Sequence, residues 1–152
     1  DDFHDNLAQP GYATHTAEVN FTNGNGLATT ELFQCIDGNT YELLDAGITI
    51  TTTVDDNSGT SANIKFGKKG DDDFFVTAAT IPDTTTAGTT LSVLRGSTGF
   101  DFVKTGDVSN ALSIGAGEEI NVTVTAQGTG SGSGEGFVWV KVKYKSRDFG
   151  PI

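Results

Sequence analysis

The chain has no methionine, one cysteine, one tryptophan and two histidines, and its nine lysines and arginines face twenty aspartates and glutamates. Each scarcity excludes something. Cys35 has no second cysteine to join, so the fold must rest on packing rather than on a disulfide. It sits in the apolar, strand-like run ELFQCI, where a buried thiol is ordinary and a nucleophile is not expected. His4 and His15 fall in neither a Ser-His-Asp nor a metal-ligand spacing. The shortage of cations leaves a net charge of −11 and a pI near 4.3. Such a charge disfavours nucleic acid and anionic membranes, which both recruit cationic surfaces. No apolar run approaches the roughly 20 residues of a membrane-spanning helix, and no signal-peptide pattern is present. The missing methionine means that the start was processed or lies upstream. The glycines follow no phosphate-loop pattern.

What is present is β-pattern. At 152 residues the chain is long enough for one domain with a real core. Segment 14–22 alternates, with Ala17, Val19 and Phe21 on one face. A short apolar run follows at 31–36. In 41–54, Ile48, Ile50 and Val54 oppose Thr49, Thr51 and Thr53. Ala62, Ile64 and Phe66 share a face in 61–66, TLSVLR spans 90–95, and Ile120, Val122 and Val124 share a face in 119–126. A last run covers 137–145. Turn-forming stretches separate these runs: TNGNG, DGN, DDNSG, GKKGDDD and GAGEE. The Gly/Ser tract 128–136 reads as a long hairpin tip. DDDFFVTAAT, 71–80, is the one stretch that reads as a helical turn, with acidic residues at its start.

Seven or eight strands at this spacing predict an all-β fold, a two-sheet antiparallel β-sandwich of jelly-roll type. Residues 13–146 would form it. Residues 1–12, interrupted by Pro10-Gly11, read as an extended arm and 147–152 as a tail.

Chemistry is sparse. Asp71, Asp72 and Asp73 form the better of two acidic turns for calcium, because they adjoin Phe74 and Phe75. The turn at 55–57 is the other, and the EF-hand spacing is absent from both. A solvated turn accounts for either, and no cofactor is implied. Asn20-Phe21-Thr22 and Asn121-Val122-Thr123 fit the glycosylation triplet, which is common by chance in Thr-rich chains. No catalytic constellation emerges, so an enzyme is not expected.

The sharpest stretch is FVWVKVKYK, 137–145. Strand alternation puts Val138, Val140, Val142 and Tyr144 on one face, and Phe137, Trp139, Lys141, Lys143 and Lys145 on the other. Lysines on a strand face protect an edge from aggregation. They do not account for a tryptophan and a phenylalanine exposed beside them. An aromatic strip flanked by charge predicts a protein contact, with the arm residues Phe3, Leu7 and Tyr12 as further anchors.

ATHTAEVNFT, IKFGKKGDDDFF, AGEEINVTVTA and GFVWVKVKY, in this order, resemble the head-associated and capsid decoration proteins of tailed bacteriophages, marine ones in particular. The likeness runs over about residues 13–145, and the two ends match nothing in that family. It implies a non-enzymatic protein on the outer capsid surface of a virion. Its partners would be the major capsid protein and further copies of itself, as a homo-oligomer with a trimer favoured. It carries over no catalytic residue. Two other classes compete. A filament subunit joined by strand exchange needs an alternating arm, and Pro10 interrupts this one. A carbohydrate-binding module needs two or three exposed aromatics on a concave face.

Overall fold

In a computed structural model, the structure describes residues 11–22, 25–36, 39–103, 113–114, 117–127 and 132–146. Among them nine strands form and no helix: β1 Gly11–Asn20, β2 Gly26–Gln34, β3 Asn39–Asp55, β4 Asn63–Lys68, β5 Asp71–Thr80, β6 Thr90–Ser92, β7 Ser113–Ile114, β8 Glu119–Thr125 and β9 Ser133–Ser146. They build two sheets, ordered β1-β9-β3-β6, with β7 also on β3, and β2-β8-β4-β5. Every ladder is antiparallel.

The pairing has a simple logic. Leaving β7 aside, the first strand pairs with the last, the second with the next to last, and so inward to β4 with β5. A chain doubled on itself and then wrapped into two layers gives this order, which is the jelly roll. The core lies between the layers. Leu43, Ile48, Ile50, Val138, Val140 and Val142 come from one sheet, and Ile64, Phe66, Val76, Ile120 and Val122 from the other. Phe21, Ile81 and Phe100, all fully buried, close it from the connections. Burying each such side chain is worth about 1.5–3 kcal/mol, which is why no disulfide is needed.

Three expectations about local structure change. Residues 71–80 form β5, not a helical turn. Phe75, Val76 and Ala79 are buried at a helix-like spacing, but a bulge produces it. Ile64 faces Ala79 while Phe66 faces Val76, so β5 spends one residue more than β4 over the same length. The run at 90–95 is a strand only to Ser92. Beyond it the chain turns, held by Val93 N–H on the Ala46 carbonyl at 3.1 Å and Leu94 N–H on Asp45 Oδ1 at 3.0 Å. The first sheet also begins earlier than expected, because Gly11 and Tyr12 already belong to β1. Residues 1–10, with Phe3, His4 and Leu7, and the tail 147–152 lie outside the described residues. So do residues 128–131 of the Gly/Ser tip.

Candidate functional site

The alternation along β9 holds. Val138, Val140 and Val142 are buried in the core, and Lys141 and Lys145 are exposed on the opposite face. Strand pairing then decides what surrounds the outward residues. Directly paired residues of an antiparallel ladder share a face. Phe137, Trp139 and Lys141 therefore stand beside Thr49, Gly47 and Asp45 of β3. On the other side Trp139 and Lys141 stand beside Thr16 and Thr14 of β1.

Trp139 differs from expectation. It points outward, yet only 8% of it is exposed. Its indole N–H donates to Thr49 Oγ1 at 3.2 Å, and Lys141 Nζ lies 5.2 Å from its ring centroid, within cation–π range. Its partner on β3 is Gly47, which adds no side chain to this face. On its other side β6 comes close to this same place, with Ser92 paired to Gly47. A Cβ on Gly47 would collide with the Leu91 carbonyl and lie 2.6 Å from Ser92 Cβ.

The result is an open groove of about 450 Å³ on the outer face of the first sheet. Trp139, Phe137, Lys141, Asp45 and Arg95 line it, with the hydroxyls of Thr14, Thr16, Thr49 and Thr90. Asp45 is 4% exposed, and its Oδ1 accepts from Ala46 N–H at 2.9 Å and from Leu94 N–H. Its carboxylate thus fastens the Arg95 turn to β3. Among the described residues the ion pair is Lys65–Asp72, far from this groove in sequence. Lys141 and Arg95 are exposed there without one. The groove is a cationic, partly aromatic site on a chain of net charge −11.

Phe137, Trp139 and Lys141 therefore converge on one site. Lys143 and Lys145 do not join it. They line a separate depression with Thr40, Tyr41, Glu42 and Tyr144. Tyr12 is 67% exposed in β1, opposite Lys143. Asp45, Arg95, Thr14, Thr16 and Thr90 were not singled out in the sequence. The outward threonines of β3 were visible as a pattern, but only the register shows what they surround.

The acidic turns separate as well. Asp71, Asp72 and Asp73 are exposed at the start of β5, and Asp72 pairs with Lys65 at 3.4 Å. A hydrogen bond with Asp71, aided by desolvation and the charges of Asp71 and Asp72, holds the Asp73 carboxyl above its usual range. The acidic group whose ligand atoms approach within 4.8 Å is Asp55, Asp56 and Asp83. Their oxygens already hold the turn together. Asp55 accepts from Asn57 N–H, Asp56 from Ser58 N–H and the Ser61 hydroxyl, and Asp83 from Asp56 N–H. Asn121 of the second glycosylation triplet is buried.

Cys35 is buried, and desolvation, followed by the charge of Glu118, pushes its thiol up to about 12. It is protonated at neutral pH and unsuited to nucleophilic chemistry. His15 lies in β1, opposite Val140 of β9. It faces inward, its ring 4.5 Å from that of Phe33, but its buried Nε2 has no hydrogen-bond partner. Burial lowers its pKa from the ordinary 6.5. The folded protein then binds this proton less readily than the unfolded chain, so stability falls as pH drops below about 6.5. His15→Phe should remove both the unpartnered nitrogen and this slope. Denaturant titrations between pH 7.5 and 5.5 should show the parent losing stability and the variant staying level. A slope that persists in the variant would assign it to other groups.

No family model and no curated protein sequence matches the chain. Fold likeness reaches further. The chain is similar to a chain in the capsid asymmetric unit of cyanophage Pam1, with a TM-score of 0.51 and 15% identity, over 89% of this chain and 84% of that one. It is also similar to a chain of infectious bursal disease virus, Gx strain, with a TM-score of 0.36 and 17% identity. There it covers 93% of itself and 38% of the viral chain. A third likeness is to Bacillus endospore appendages, disulfide-linked pili, at a TM-score of 0.32 and 13% identity, over 92% and 93% of the two chains. A chain from a cyanophage capsid thus stands among the structures that this one resembles. At these identities the first likeness shows a shared fold.

Proposed function

We propose that this protein is a non-enzymatic structural component of a virion, which docks on the outer capsid surface and stabilises the shell. The observation that carries the reading is the groove around Trp139. It offers an aromatic floor and two cations without an ion pair among the described residues, on an acidic body, which is the makeup of a protein-docking surface. The jelly roll shared with a cyanophage capsid chain supports it, since that architecture gives a rigid body with few open edges. Coat subunits and further copies of this chain are the partners. Contacts of modest strength, repeated by the symmetry of a shell, add up to firm attachment.

Trp139 matters in two ways. Because the ring is buried on the outer face, Trp139→Ala removes packing as well as a docking contact. Lys141→Glu, at an exposed position, reverses a charge of the docking surface and removes no core packing, only the cation–π contact with Trp139. Co-sedimentation with purified particles stripped of this protein tests the reading. The parent should bind and saturate at a fixed copy number, and Lys141→Glu should bind at least about tenfold more weakly. Absence from intact particles and no binding to stripped ones would overturn it.

A further inference from the structure

We infer that the groove around Trp139 receives the N-terminal segment, residues 1–10, of a second copy of this chain. The inference rests on the docking reading and names one occupant of that site. The first reason is charge. Lys141 and Arg95 present two cations without an ion pair among the described residues, against the single negative charge of Asp45, whose Oδ1 accepts from two backbone N–H groups. The groove is complementary to an anionic peptide with an aromatic.

The second reason is which acidic stretch fits. DDFHDNLAQP carries Asp1, Asp2 and Asp5, no lysine or arginine, and an aromatic, Phe3, among the acids. DDDFF at 71–75 also joins acids to aromatics, but it follows Lys68 and Lys69, and Asp72 is already paired with Lys65. Phe75 is buried, and Phe74 packs against it and beneath Lys68. The turns at 55–57 and 117–119 have no aromatic.

The third reason is direction. β1 begins opposite Tyr144 and runs toward Thr16, opposite Trp139. The residues before Gly11 thus join the sheet at the end away from the groove, about 17 Å along the strand. To reach its own groove the segment must reverse at Pro10-Gly11. To reach a neighbour's it need not, and ten extended residues span about 33 Å. Phe3 would lie against Phe137, which is 38% exposed, with the aspartates on Lys141 and Arg95.

The sole tryptophan makes the test specific, because emission reports this groove alone. The full chain should self-associate with rising concentration, measured by light scattering, and Trp139 emission should shift over the same range. High salt should weaken the association. Reversing the arm, Asp1→Lys with Asp2→Lys and Asp5→Lys, should move the midpoint at least about tenfold, and so should Lys141→Glu with Arg95→Glu. Mixing the two reversed proteins should restore a mixed oligomer. The arm variant leaves the described fold untouched, so its result stands even if the groove variant is unstable. A monomer at every concentration, an association indifferent to the arm, an emission shift without a change in mass, or no rescue on mixing with a groove variant that melts like the parent would each overturn the inference. Particle binding by the parent with any of these results would leave the docking reading intact.

Discussion

Phe66→Ala should lower the stability of the protein by about 3–5 kcal/mol. Phe66 is fully buried at the centre of β4, paired with Val122 on one side and Val76 on the other. The ring fills the space between the sheets, and its neighbours are strands of both hairpin arms that cannot all close in. For a chain of this length the melting temperature should fall by roughly 10 °C. Calorimetry or urea titration measures it, with an unchanged m-value showing that the same surface is exposed on unfolding. A loss below about 1 kcal/mol would mean that the space can collapse or that β4 pairs in another register.

Gly47→Val should also be costly, though less so and for a different reason. Gly47 has ordinary strand geometry, so the constraint is space rather than dihedral freedom. Its missing side chain lets the Leu91 carbonyl and Ser92 come close, and both would have to move. Overpacking of this kind costs about 1–3 kcal/mol. Here the displaced element is the end of β6, which leads into the turn that carries Arg95 and is pinned by Asp45. Trp139 emission should therefore shift to the red as the wall of its groove opens. A loss of stability with unchanged emission would separate the strand contact from the groove. Emission that shifts at unchanged stability would show that the turn lifts without cost to the core.

The contrast between these positions shows what was legible. Phe66 could be assigned to the core from the alternation Ala62, Ile64, Phe66, because a strand facing a core must repeat with period two. The same rule assigned Val138, Val140 and Val142 inward and the lysines outward. The all-β class, the two layers and the outward face of β9 follow from such local patterns. They failed where a bulge changed the period. In β5 the extra residue imitated a helical turn, and in β3 the register shift between Leu43 and Asp45 put a carboxylate in the path of a distant turn.

From the sequence alone came the acidic balance, the scarcity of reactive side chains, the strand faces and the cationic aromatic strip. Tertiary structure decided that the strip is two sites rather than one, because pairing brings Glu42 beside Lys143 but Gly47 beside Trp139. It decided that Trp139 is covered while facing outward, since pairing sets Thr49, ninety positions away in sequence, against its indole N–H. It also supplied Asp45 and Arg95. The physical reason is range. Alternation is a property of neighbours along the chain, whereas a groove is made by residues that only register and loop packing bring together.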